Sequence, residues 1–191
     1  VNDAPVLAAI EGTALAYTED DPATAITATI TAGDVDNTNL AGATVQITSN
    51  YASGQDVLSF TNTANITGSW NATNGTLTLS GSDTVANYQA ALRAVQYQNT
   101  SQDPSGLTRT VSFKVNDGAA DSNTVTRNIA VTPVNDAPVL AAIEGTALAY
   151  TEDDPATAIT ATITSSDVDN TNLSSATVQI TSNYASGQDV L

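Results

Sequence analysis

Residues Val1–Thr31 read VNDAPVLAAIEGTALAYTEDDPATAITATIT, and the same letters begin again at Val134. The period is therefore 133 residues, and the 58 residues from Val134 onward differ from residues 1–58 at four positions only. Ala32, Gly33, Ala41 and Gly42 become Ser165, Ser166, Ser174 and Ser175, all exchanges between small residues. A unit of this length suits one compact domain, whereas solenoid repeats of about 20–45 residues bury a core only by stacking. The expected organisation is a complete repeat, residues 1–133, followed by the N-terminal part of a second, residues 134–191, taken from a longer string of such beads.

Inside the quoted stretch, Ala25–Thr31 alternates apolar and threonine residues, which predicts a half-buried strand with Ile26, Ala28 and Ile30 inward. The same period of two returns at Ala43–Ile47, Leu77–Leu79, Val95–Tyr97, Val111–Val115 and Val125–Val131. Asn74-Gly75 reads as a hairpin turn, and Asp103-Pro104-Ser105-Gly106 and Asn116-Asp117-Gly118 read as loops. One stretch breaks the pattern. After Ser82 and Asp83, which can cap a helix, Val85, Tyr88 and Leu92 stand at helical spacing and predict a short crossover helix. The fold expected is all-β: an Ig-like, antiparallel Greek-key β-sandwich repeated in tandem, with one short helix per unit and Trp70, Phe60 and Tyr88 as core aromatics.

Twenty acidic residues face four basic ones (Arg93, Arg109, Lys114, Arg127), a net charge of −16, and histidine, cysteine and methionine are absent. Phosphate binding needs a basic surface, so nucleic acid is not an expected partner. Without cysteine there are neither disulfides nor thiolate metal sites. No apolar run reaches the roughly 18 residues of a membrane span. An acidic chain that keeps 41% apolar residues can build a core and remain soluble, and cations that neutralise it relieve its self-repulsion.

The carboxylates gather where strands begin or end: Asp3 in Val1-Asn2-Asp3-Ala4-Pro5, then Glu19, Asp20 and Asp21, Asp34 and Asp36 in Asp-Val-Asp-Asn, and Asp117 and Asp121 around Gly118. Loop-end carboxylates spaced i, i+2 suit Ca²⁺, a hard cation that takes six to eight oxygens from carboxylates, amides and carbonyls. Asp and Asn also favour turns for reasons of their own backbone chemistry, which is the competing explanation.

In its order of pieces the unit resembles the cadherin fold and, more closely, the cadherin-like repeats of large bacterial adhesins exported by type I secretion. The resemblance rests on Asn135-Asp136-Ala137-Pro138 as interdomain linker, Glu19 as the early glutamate, Asp34-Val35-Asp36 after the early strands and Asn116-Asp117-Gly118 before the last strand. The linker is one Asn shorter than the cadherin one and no Asp-Arg-Glu motif occurs mid-domain, which implies fewer ions per junction. The resemblance implies Ca²⁺ as the bound ion, with Glu19, Asn135, Asp136, Asp167 and Asp169 at one junction and Asn2, Asp3, Asp34, Asp36 and Asp117 at the other pole of the first unit. It further implies a non-catalytic, extracellular or cell-surface module whose partners are neighbouring repeats of its own chain.

Three other readings compete. With no His and no Cys, an enzyme would have only carboxylate pairs such as Glu19 with Asp34, as glycosidases do, but their loop and linker placement suits ions better. A ligand-binding threonine ladder at Thr27, Thr29 and Thr31 with Thr44, Gln46 and Thr48 is what a solvent-facing strand ordinarily carries, and the sequons at Asn65, Asn71, Asn74 and Asn99 arise readily in a chain so rich in Asn and Thr. The same beads could instead build an extracellular filament or sheath by packing or exchanging strands with other copies.

Overall fold

The computed structural model describes all 191 residues, and its packing divides the chain into Val1–Val134 and Asn135–Leu191. The first unit runs β1 (Val6–Ala8), β2 (Leu15–Thr18), β3 (Thr24–Ala25), β4 (Thr31–Gly33), β5 (Asn39–Ser49), β6 (Asp56–Ser59), β7 (Thr67–Asn71), β8 (Thr76–Thr84), α1 (Val85–Ala94), β9 (Gln96–Asn99), β10 (Arg109–Asn116) and β11 (Val125–Thr132). One sheet has the order β2-β11-β10-β5-β8-β7, another β3-β9-β6, and β1 pairs with β4. Neighbours are antiparallel except β2 and β11, which run parallel with Leu15 opposite Ile129. The unit is an all-β sandwich with one short helix.

Its long strands follow the alternation in the sequence. Ala43, Val45 and Ile47 of β5, Leu77 and Leu79 of β8, Val111, Phe113 and Val115 of β10, and Ile129 and Val131 of β11 are all buried, while the residues between them face outward. Tyr17 and Tyr97 meet edge to face across the interior, with ring centroids 5.0 Å apart. Tyr88 is fully buried, whereas Trp70 and Phe60 pack against the core from its margin.

The strand expected over Ala25–Thr31 does not form. Ile26, Thr27 and Ile30 are buried, but Ala28 points out. Side chains take the place of a ladder here: Glu11 accepts from Thr27 Oγ1 (2.7 Å) and Ala28 N (2.8 Å), Thr29 Oγ1 donates to Ala9 O (2.5 Å), and Ile30 N donates to Thr27 Oγ1 (3.2 Å). Arg93 on α1 then pins the segment from beneath, through Nε to Ile30 O at 2.9 Å.

Helix α1 buries Tyr88 and Leu92 as expected, with Ala91 beside them, while Val85 packs against the core half-buried. Its cap is Thr84, whose hydroxyl accepts from Asn87 N at 3.2 Å, so the helix starts just beyond Ser82 and Asp83. Asp83, next to last in β8, instead accepts from Thr84 N and Asn87 Nδ2.

In the second unit only β12 (Val139–Ala141) and β13 (Thr164–Ser166) form, paired antiparallel. They are the counterparts of β1 and β4. The reason lies in the pairing scheme: β2, β3, β5 and β6 draw their partners from β8–β11, beyond residue 58, while β1 and β4 need only each other. Residues 134–191 carry counterparts of residues 1–58 and no others.

Candidate functional site

Pairing of β1 with β4 places Val6 opposite Gly33, so the linker before β1 and the turn after β4 emerge side by side. That turn is shaped by Asp34, whose Oδ1 accepts from Asp36 N (3.1 Å) and Asn37 N (2.8 Å). The linker docks on it: Asp3 N donates to Asp36 Oδ2 at 3.0 Å, and Asn37 Nδ2 donates to Asn2 Oδ1 at 2.9 Å. From the loop after β10, Asp117 Oδ2 accepts from Asn2 Nδ2 at 2.9 Å. Asn2, Asp3, Asp34, Asp36 and Asp117, which the resemblance groups at one pole, are thus one hydrogen-bonded cluster. Asn37, the last letter of Asp-Val-Asp-Asn, joins them and was not among the expected ligands; its signal was its place beside Asp36.

The Asn2 amide, followed by the N–H groups of Ala120 and Ala119, holds the Asp117 carboxyl below its ordinary value. The nearby cation is engaged elsewhere: Lys114 Nζ lies 2.6 Å from Asp121 Oδ2. One oxygen, Asp34 Oδ2, is shut off from solvent with no hydrogen-bond partner. A buried carboxylate oxygen without a donor is costly unless a cation meets it. No three acidic side chains converge as a ready-made cage, but carboxylates beside the side-chain amides of Asn2 and Asn37 offer the kind of oxygen that Ca²⁺ accepts. The residues present fit that ion.

The second unit repeats the linker and turn half. Asp136 N donates to Asp169 Oδ2, Asp169 N and Asn170 N donate to Asp167 Oδ1 at 3.0 and 2.8 Å, and Asn170 Nδ2 donates to Asn135 Oδ1 at 3.1 Å. Here Asp136 Oδ2 is the carboxylate oxygen buried without a partner.

Glu19 stands at the other end of the first unit. The parallel β2–β11 register carries it alongside the end of β11, where Glu19 N donates to Thr132 O (3.0 Å) and Glu19 Oε2 accepts from Val134 N (2.7 Å). It is 7% exposed. Eight residues of β11 separate it from the Asp117 loop, roughly 25 Å at strand rise. Glu19 therefore anchors the backbone immediately before Asn135.

Two charged residues escaped the sequence reading. Asp56 and Arg109 are 1% and 0% exposed and form an ion pair at 3.2 Å inside the sandwich. Their signal was phase: Arg109 shares the inward register of Val111 and Phe113, and Asp56 that of Leu58.

No protein-family model, curated protein or solved structure matches the chain.

Proposed function

We propose that the chain is a non-catalytic, calcium-binding repeat of an extracellular surface adhesin, in which each bound ion ties an interdomain linker to the domain that follows it. The observation that carries this reading is the convergence of linker, post-β4 turn and post-β10 loop on one hydrogen-bonded cluster of carboxylates and amides, in which Asp34 keeps one oxygen, Oδ2, buried without a partner. Asn2, Asp34, Asp36, Asn37 and Asp117 are the residues that would hold the ion. When bound, Ca²⁺ supplies charge neutralisation and a rigid coordination shell.

The chain's own residues do the rest. The Asp34 turn presents carboxylates toward the linker, and the linker lies on it through hydrogen bonds made by Asn2 and the Asp3 backbone. Without a cation, carboxylates gathered at this spacing repel one another and loosen that docking. Extracellular modules bind calcium at about 10⁻⁴–10⁻³ M. A chain tuned to that range stays loose where calcium is scarce and stiffens outside the cell, where it acts as a spacer.

Small-angle scattering of a protein of two complete repeats tests this. A monomeric rod in about 5 mM calcium, above the weak extracellular range, that becomes flexible in chelator is the expected outcome. A shape indifferent to calcium contradicts the reading, and polymers in place of monomers favour a filament subunit.

A further inference from the structure

Strand β1 has a partner on one side only, β4, yet its central residue Leu7 is 2% exposed and hydrogen-bonded on the other side as well. There Asn123 Oδ1 accepts from Leu7 N at 2.8 Å, and Asn123 Nδ2 donates to Leu7 O at 2.9 Å. A single side-chain amide thus reproduces both bonds that a neighbouring strand would make. Asn123 in turn is fixed to the loop that carries Asp117. Ser122 Oγ donates to Asn123 O (2.7 Å), while Ser122 exchanges bonds with Val115 through Val115 N to Oγ (3.0 Å) and Ser122 N to Val115 O (2.9 Å).

We infer that Asn123 is a positioning residue that sets the linker arm in register with the Asp117 loop, so that the two halves of the cluster form one cation site. This rests on the calcium reading above. The second unit shows why the role is so specific. There the linker and turn contacts form within residues 134–191, which hold no counterpart of Asn123 or Asp117. The arm meets the Asp34 turn without help; what needs a clamp is the approach of Asp117, which touches the arm through Asn2 alone.

A clamp acting through Asp117 has a signature that general structural support lacks. Calcium affinity is measured by titration calorimetry on the full chain in a D167A/D169A background, which removes the second unit's cluster, for the parent, N123A, D117A and the double variant. Each single substitution is expected to weaken binding about 10-fold, and the double variant also about 10-fold, not the roughly 100-fold of independent effects. In calcium-free protein the Leu7 amide is expected to be protected from hydrogen exchange, and to lose that protection in N123A while Val45 and Phe113 keep theirs. Additive losses, or an N123A affinity equal to the parent's, overturn the inference and leave the calcium reading intact. A parent that does not bind calcium overturns both, and an unprotected Leu7 amide in the parent overturns the clamp alone.

Discussion

Asp56 is surrounded by donors. Arg109 Nε (3.2 Å), Tyr97 Oη (2.6 Å), Asn99 Nδ2 (2.7 Å) and Ala52 N (2.8 Å) all point at its two oxygens, and burial beside the carboxylate pushes the Tyr97 phenol well above its ordinary value. Only an acceptor on both atoms satisfies this set, so D56N, nearly isosteric, places an N–H against a donor and strips Arg109 of its counter-charge. We expect it to cost about 3–5 kcal/mol in urea unfolding at neutral pH. Glu11 is a second such residue. Burial opposes its ionisation, but Thr27, Ala28 and its own backbone N–H, with Arg127 beyond them, outweigh that and hold its carboxyl at about 2, against 4.5 ordinarily. A carboxyl whose folded value is depressed stabilises the fold fully above its unfolded value. That contribution drains away as pH falls from about 4.5 toward 2, and E11Q should remove this part of the acid slope at a cost of order 2 kcal/mol at pH 7.

At the scale of elements, the inward residues of β5, β8, β10 and β11 were legible because each strand is long and buried on one face, so the period of two has room to show. Ala25–Thr31 misled because alternation records which residues are apolar, not where their backbone bonds go. Glu11, fourteen residues earlier, takes two of the groups a ladder would have used. The buried pair was missed since Asp and Arg read as polar even where the phase of their strands turns them inward. Gly81 lies within β8, where the register with β5 shifts between Leu40 and Gly42, at φ +126°; a Cβ there would stand 1.9 Å from Asn65 O, and its own carbonyl accepts from Tyr88 Oη at 2.5 Å. G81A should therefore destabilise the unit by about 2–4 kcal/mol in thermal or urea unfolding, through backbone strain and displacement of α1.

For the molecule as a whole, the clustering at this pole was legible because carboxylates and amides recur at strand ends, and because the structure needs only β1 and β4 to assemble most of it. Asn37 and Asn123 were less visible, since amides carry no charge signal and their roles depend on contacts spanning 35 and 116 positions of the chain. On the proposed function, cation binding at this pole stabilises the folded unit. Binding only to the folded state adds roughly 2.7 kcal/mol when free ion exceeds the dissociation constant about 100-fold. The most direct measurement is the thermal unfolding of the 191-residue chain in calcium and in chelator, beside a D34A/D36A variant. The expected result is a transition for residues 1–134 several degrees higher in calcium, with the variant unresponsive to the ion. A midpoint that is the same in calcium and in chelator for the parent chain would contradict it.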